Sequence, residues 1–339
     1  MTHPAPIFRS LLLFVILGLF SLSLPAAGRP AAAAGRIPVI LDTDIGDDID
    51  DTWALALLLK SPEFDIRLVV GDEGKPLYRA RLIAKLLQVA GRTDIPIGIG
   101  IETSSRGDGG QVGWVRDYDL KSYPGTVHQD GVKALIDTIM NSREPVTLIA
   151  VGPLPNIAAA LEREPRIAQR ARFVGMHGSV RVGYGGNKKP APEYNVKQNA
   201  PACRKALTAA WDATITPLDT CGIVDLSGER YQRLRASKDP VAAAVIENYR
   251  LWSAAQRRNA TTPDPWETRS STLFDTVAIY LGYSEKLLKM ERLPIEVTDA
   301  GFTVIQPGAK LTNVATEWKD LDAFRDWIVN RLTGSARAR

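Results

Sequence analysis

The stretch Ile37-Pro38-Val39-Ile40-Leu41-Asp42-Thr43-Asp44-Ile45-Gly46-Asp47-Asp48-Ile49-Asp50-Asp51 decides how this chain folds. Ile37–Leu41 is a short apolar run, read as a buried strand that ends in acidic residues. Residues 51–60 then take helical spacing and stop at Ser61-Pro62. A strand that passes through a loop into a helix is the first unit of an α/β fold. The loop holds six carboxylates in ten residues, Asp42 to Asp51. In open α/β sheets, ligands sit beyond the carboxyl ends of strands, where this loop lies. Capping a helix N-terminus uses one or two Asp. The others repel one another unless a cation or protons compensate. All-oxygen donors point to a hard cation, calcium or magnesium.

Outward from this unit, strand and helix alternate. Strands are expected at 64–70, 95–99, 146–151, 173–176 and 214–218. Helices are expected at 78–90, 131–140, 156–162 and 200–210, and loops at 102–125 and 178–192. Beyond Asp225 the pattern turns largely helical, through 241–252 and 272–281. Strand candidates follow at 295–297 and 302–305, then a last helix near 321–332. This alternation predicts a single α/β domain with a mostly parallel central sheet flanked by helices. No linker or internal repeat interrupts it.

The 339 residues carry 42 Lys and Arg against 38 Asp and Glu, a balance that gives no nucleic-acid surface. Arg9, the apolar run 11–24, Pro25 and the alanines at 26, 27 and 31–34 describe a secretory signal peptide. The run is shorter than the roughly 20 residues of a spanning helix. Residues 1–34 are therefore expected to be removed, leaving 35–339 as the single mature domain, secreted or periplasmic and free of the membrane. Export permits a bridge between Cys203 and Cys221, and two buried thiols fit equally well. Only His128 and His177 remain in that mature chain, too few for a His-based zinc site.

Other acidic-loop motifs fit poorly. An EF-hand needs a Glu where Trp53 stands. A phosphatase of the haloacid-dehalogenase type needs a later Gly-Asp-x-x-x-Asp, and Gly71-Asp72 is followed by Pro76 at that place. A dinucleotide fingerprint needs more glycine than Gly46.

Asp42-Thr43-Asp44-Ile45-Gly46 with Asp50-Asp51-Thr52-Trp53-Ala54-Leu55 resembles the opening motif of the inosine–uridine-preferring nucleoside hydrolases, with two residues inserted before Asp50. Further similarities follow in order: Gly152-Pro153-Leu154-Pro155-Asn156, Gly186-Asn187, Pro192-Glu193-Tyr194-Asn195 and Leu273-Phe274-Asp275. The resemblance spans residues 37–332 and implies a nucleoside-hydrolase-like fold, a ribonucleoside substrate, a Ca2+ ion and a homodimer or homotetramer.

It also implies roles. Asp44, Asp51 and Asp275 are the expected metal ligands, with the Val151 carbonyl a fourth. Asp44 is the expected general base on the attacking water. Asp50 is expected to accept a ribose hydroxyl, and Asn187, Glu193 and Asn195 to bind the sugar. For the two Asn, stiffening of a loop is the competing role; for Asp275 it is a helix cap. Asp72 is read either as a contact to the diol or metal shell, or as a turn residue. His128 is read either as a site turn or as a satisfied loop histidine. Phe274 stands where the family has a histidine linked to protonation of a purine leaving group, and is expected to stack on the base instead. A non-catalytic nucleoside or sugar receptor and a metal phosphatase are the alternatives in other functional classes.

Overall fold

The computed structural model describes residues 1–3, 35–104, 107–257 and 264–334. The segment expected to be a signal peptide lies outside them, apart from its first three residues. The chain from Ala32 onward forms one compact unit. Its strands are β1 Ile37–Thr43, β2 Phe64–Gly71, β3 Ile97–Gly98, β4 Val127–His128, β5 Val146–Ala150, β6 Ala171–Met176, β7 Ala213–Thr216, β8 Leu288–Val297, β9 Thr303–Ile305 and β10 Leu311–Trp318. Its helices are α1 Asp50–Leu59, α2 Pro76–Val89, α3 Val112–Val115, α4 Gly131–Met140, α5 Pro155–Arg163, α6 Tyr194–Gln198, α7 Ala200–Thr208, α8 Leu218–Cys221, α9 Gly228–Arg235, α10 Pro240–Gln256, α11 Thr276–Leu281 and α12 Leu321–Leu332.

Among the described residues the strands form a ten-stranded sheet in the order β4-β3-β2-β1-β5-β6-β7-β10-β8-β9. Every pair is parallel from β4 across to β10; β8 pairs antiparallel with β10 and β9 with β8. The expected mostly parallel sheet is therefore present. Alternate residues feed two cores. Val39 and Leu41 of β1 pack into one with α1, α2 and α10 to α12, while Ile40 faces α4, α5 and α7 on the other side. Both faces are covered, as a parallel sheet requires.

Three expectations need correction. The strand foreseen over 95–99 shrinks to Ile97–Gly98, and the helix foreseen from Thr272 begins only at Thr276. The third concerns β10, which was not foreseen at all; it lies between β7 and β8. Cys203 and Cys221 are both buried and free, so no bridge joins them. No helix among the described residues is long and apolar enough to cross a membrane.

From β1 the chain works outward to one sheet edge through β2 to β4, then returns to β5 on the other side of β1. That reversal makes a crevice at the carboxyl ends of β1 and β5. Asp44 leaves the first of these strands and Val151 the second.

Candidate active site

The crevice opens into a pocket of about 470 Å³ lined by residues from both halves of the chain. Its floor is polar and buried. Asp44, Asp50, Asp51, Asp275, Glu193 and Asn195 line it with 5% exposure or less. Asp50 and Asp51 open α1, and Asp275 immediately precedes α11; the Asp275 main-chain N–H donates to Asp50 Oδ2 at 3.2 Å. Two helix N-termini thus converge, and their positive ends favour the carboxylates there. Asp51 is steadied by the Thr43 hydroxyl, and Arg79 donates to the Asp44 and Ile45 carbonyls from behind.

One carboxylate oxygen each from Asp50, Asp51 and Asp275 lies within 4.8 Å of the others. Burial, and then repulsion from nearby carboxylates (Asp48 and Asp44 on Asp50, Asp44 and Asp50 on Asp51, Asp50 and Asp51 on Asp275), raises all three well above the ordinary carboxylate range. Asp44, beside this trio rather than within it, is pushed up to about 8, mainly by burial, with Arg79 opposing. Three desolvated carboxylates this close fit a hard divalent cation, which would restore their charged forms. The set can hold a metal ion.

A pH prediction follows for the metal-free protein. Asp42 and Glu193 are raised to about 7 by burial, and Asp44 to about 8. Groups raised on folding add stability that is complete below about 4 and lost as pH rises through about 7 to 8. His177, lowered to about 4 by burial, acts oppositely below its ordinary value near 6.5. Urea unfolding in chelator should therefore give lower stability at pH 8.5 than at pH 6.5. A flat or rising profile would contradict this charge arrangement.

The Val151 carbonyl accepts from Asn195 Nδ2 at 2.9 Å and keeps a second lone pair. Asn195 Nδ2 also reaches the Met176 carbonyl, tying the ends of β5 and β6 together. Glu193 caps α6: its oxygens accept from the N–H groups of Asn195, Val196 and Gly178 at 2.8–3.2 Å. Its carboxylate is largely committed to the backbone while lining the pocket.

Behind the floor, Asp72 lies outside the pocket lining and caps the turn after β5. It accepts from the Leu154 N–H at 2.8 Å and the Asn156 N–H at 3.5 Å. Leu154 has φ 72°, a left-handed conformation that costs about 1–3 kcal/mol and so needs such a clamp. A Cβ on Gly152 would stand 2.8 Å from Asp72 Oδ2 and 3.0 Å from Asp44 Oδ1, so only glycine lets this turn approach. Of the two roles read for Asp72, the geometry matches the turn residue.

Two further expected contacts also fall outside the pocket. Asn187 is exposed and accepts from the Lys189 N–H at 3.0 Å, closing a local turn. His128 is half-buried on β4, where its carbonyl accepts from the Ile99 N–H.

The rim is aromatic. Half-buried Phe274 meets Tyr184 edge to face at 6.2 Å, and Tyr194 and Trp252 complete the mouth with Asp47, Asp48 and Gln256. Sequence reading passed over Tyr184, Trp252 and Gln256. Trp252 and Gln256 share a helix-face spacing at the end of α10, a weak signal; Tyr184 carries none beyond its Gly-rich loop.

The profile of the inosine-uridine preferring nucleoside hydrolases matches residues 39–326. The pyrimidine-specific ribonucleoside hydrolase RihA of Citrobacter koseri is 29% identical over 226 residues, covering 62% of this chain and 69% of that protein. The protein of the same name from Enterobacter sp. (strain 638) is 30% identical over 221 residues, covering 62% and 69%. Among solved structures, the plant nucleoside hydrolase PpNRh1 superposes with a TM-score of 0.74 at 22% identity, over 88% of this chain and 99% of that one. The purine-preferring ribonucleoside hydrolase from Gardnerella vaginalis gives 0.69 at 20%, over 88% and 98%. These two structures share the sheet and its helices. A match over most of the chain, on a fold whose first strand ends in the acidic floor, leads to one assignment: this chain belongs to the family of inosine-uridine preferring nucleoside hydrolases, glycosidases that act on N-glycosyl compounds.

Proposed function

We propose that the chain cleaves the N-glycosidic bond of ribonucleosides in a calcium-dependent reaction, giving ribose and free base. The observation that carries this reading is the buried trio Asp50, Asp51 and Asp275 under an aromatic rim. Asp44, Asp51, Asp275 and the Val151 carbonyl would hold the ion. Calcium bound there supplies a grip on the vicinal diol of the sugar and lowers the pKa of a water.

The protein's own groups do the rest. Asp44 takes a proton from the attacking water, as its raised affinity for protons suits a base working near neutrality. Asp50 accepts a ribose hydroxyl, and Asn195 and Glu193 line the sugar end. The sugar passes through an oxocarbenium-like state, which the surrounding carboxylates favour electrostatically. Phe274 and Tyr184 stack against the base.

The reading extends to export, supported by the apolar run 11–24, and to a homodimer or homotetramer, supported by the family resemblance. It is tested with uridine, cytidine, inosine and adenosine, first with calcium and then with chelator. Ribose should appear from at least one nucleoside and stop in chelator. If none releases ribose in calcium, the reading fails; if release persists unchanged in chelator, the ion's role fails.

A further inference from the structure

The parallel ladder between β5 and β6 ends at the pair Ala150 and Gly175. Val151 and Met176 follow on the two chains and line the pocket, and side chains carry the connection onward. Asn195 bridges the Val151 and Met176 carbonyls. One residue further along each chain, His177 Nε2 lies 2.9 Å from the Gly152 carbonyl.

A carbonyl can only accept, so the imidazole proton in this bond sits on Nε2. Burial keeps the ring neutral. The other nitrogen, Nδ1, is buried and has no hydrogen-bond partner among the described residues. A buried polar atom without a partner opposes folding, and an apolar side chain would fill the same space without that penalty. What the imidazole supplies in return is its one bond to Gly152. The ring is also tightly seated. A Cβ on Gly175 would stand 2.4 Å from Nδ1, and the ring lies against Phe173, which stacks on Trp211 with centroids 5.4 Å apart. This slot holds Nε2 on the Gly152 carbonyl.

That carbonyl has little else to anchor it. Glycine leaves its own dihedrals loose, and Pro153 has no N–H to fix the peptide from the far side. Asp72 clamps the turn only from Leu154 onward. Gly152 also bears on Asp44, since a Cβ there would reach within 3.0 Å of Asp44 Oδ1. A shift of this peptide therefore disturbs two groups of the floor at once, the Val151 carbonyl beside it and the Asp44 carboxylate against it. His177 itself is fully buried and does not line the pocket. On the calcium reading above, we infer that His177 is a positioning residue of the ion site: its Nε2–H fixes the Gly152 peptide and, through it, the Val151 carbonyl and the Asp44 carboxylate.

The test is calcium titration calorimetry of the full-length chain and three variants, beside melting curves in chelator. His177→Leu fills the space and removes the donor. His177→Gln carries its amide nitrogen as many bonds from the backbone as Nε2 stands, and His177→Asn carries it one bond short. The Kd for calcium should rise about tenfold in the Leu and Asn variants, the low end of what a residue behind a metal ligand contributes, and return towards the parent value in the Gln variant. The kcat on a nucleoside that the parent cleaves should fall and recover in the same order. A side chain that merely filled the core would lower the melting temperature in chelator and leave the Kd unchanged. A parent-like Kd in a folded Leu variant overturns the inference. If the Leu variant does not fold, the other two decide, and equal calcium affinity in the Gln and Asn variants overturns it. Either result leaves the calcium reading intact, because the parent still binds the ion. A parent that binds no calcium overturns that reading and the inference together.

Discussion

Asp44→Asn should lower kcat by about a thousandfold, within the range that a positioned base contributes. The amide keeps the size and shape of the carboxylate but takes no proton at neutral pH. The fold should survive, because Arg79 holds the Asp44 and Ile45 carbonyls rather than the Asp44 side chain. A water then attacks without an acceptor for its proton. The check is steady-state kinetics beside a melting curve. A kcat within tenfold of the parent, in a folded variant, removes Asp44 from the role of base.

The second large effect concerns stability as well as rate. Calcium at about 100 times its Kd should add about 2.7 kcal/mol to the parent protein. Asp275→Asn should abolish most of that gain and reduce turnover to background. In chelator at pH 8 the variant should melt at a higher temperature than the parent. The parent there confines Asp275 with Asp50 and Asp51, all 3% exposed or less, and the amide removes a carboxyl whose burial and neighbours oppose its ionisation in the folded state. Thermal melts of both proteins, with and without calcium, decide the matter. Equal stabilisation of parent and variant by calcium would take Asp275 out of the ion site.

The legible parts of this molecule were those where local chemistry and tertiary role agree. The strand at Ile37 and the helix over 131–140 combine apolar pattern with clear stops, and Asp130 caps the latter as Asp does. The acidic floor was legible because six carboxylates in one loop have few physical explanations. Elsewhere tertiary pairing decides. Strand β10 is Leu-Thr-Asn-Val-Ala-Thr-Glu-Trp, a polar segment whose extended form comes from its neighbours β7 and β8. Helix α11 starts only at Thr276, and Phe274 and Asp275 just before it line the pocket. Asn187, His128 and Asp72 are motif members whose side-chain direction depends on turns that spacing does not specify. Tyr184 and Trp252 meet at the mouth from segments far apart in the chain, so no local pattern joins them.

The hydrogen bond from the Asp275 N–H to Asp50 spans 225 residues of sequence. A growing polypeptide that has reached only Phe274 holds the first half of the acidic floor and lacks its closing member. A complete ion site would therefore form late in the birth of the molecule. A cation bound there would be a clasp joining α1 to α11, and proteases should open the metal-free enzyme at that seam.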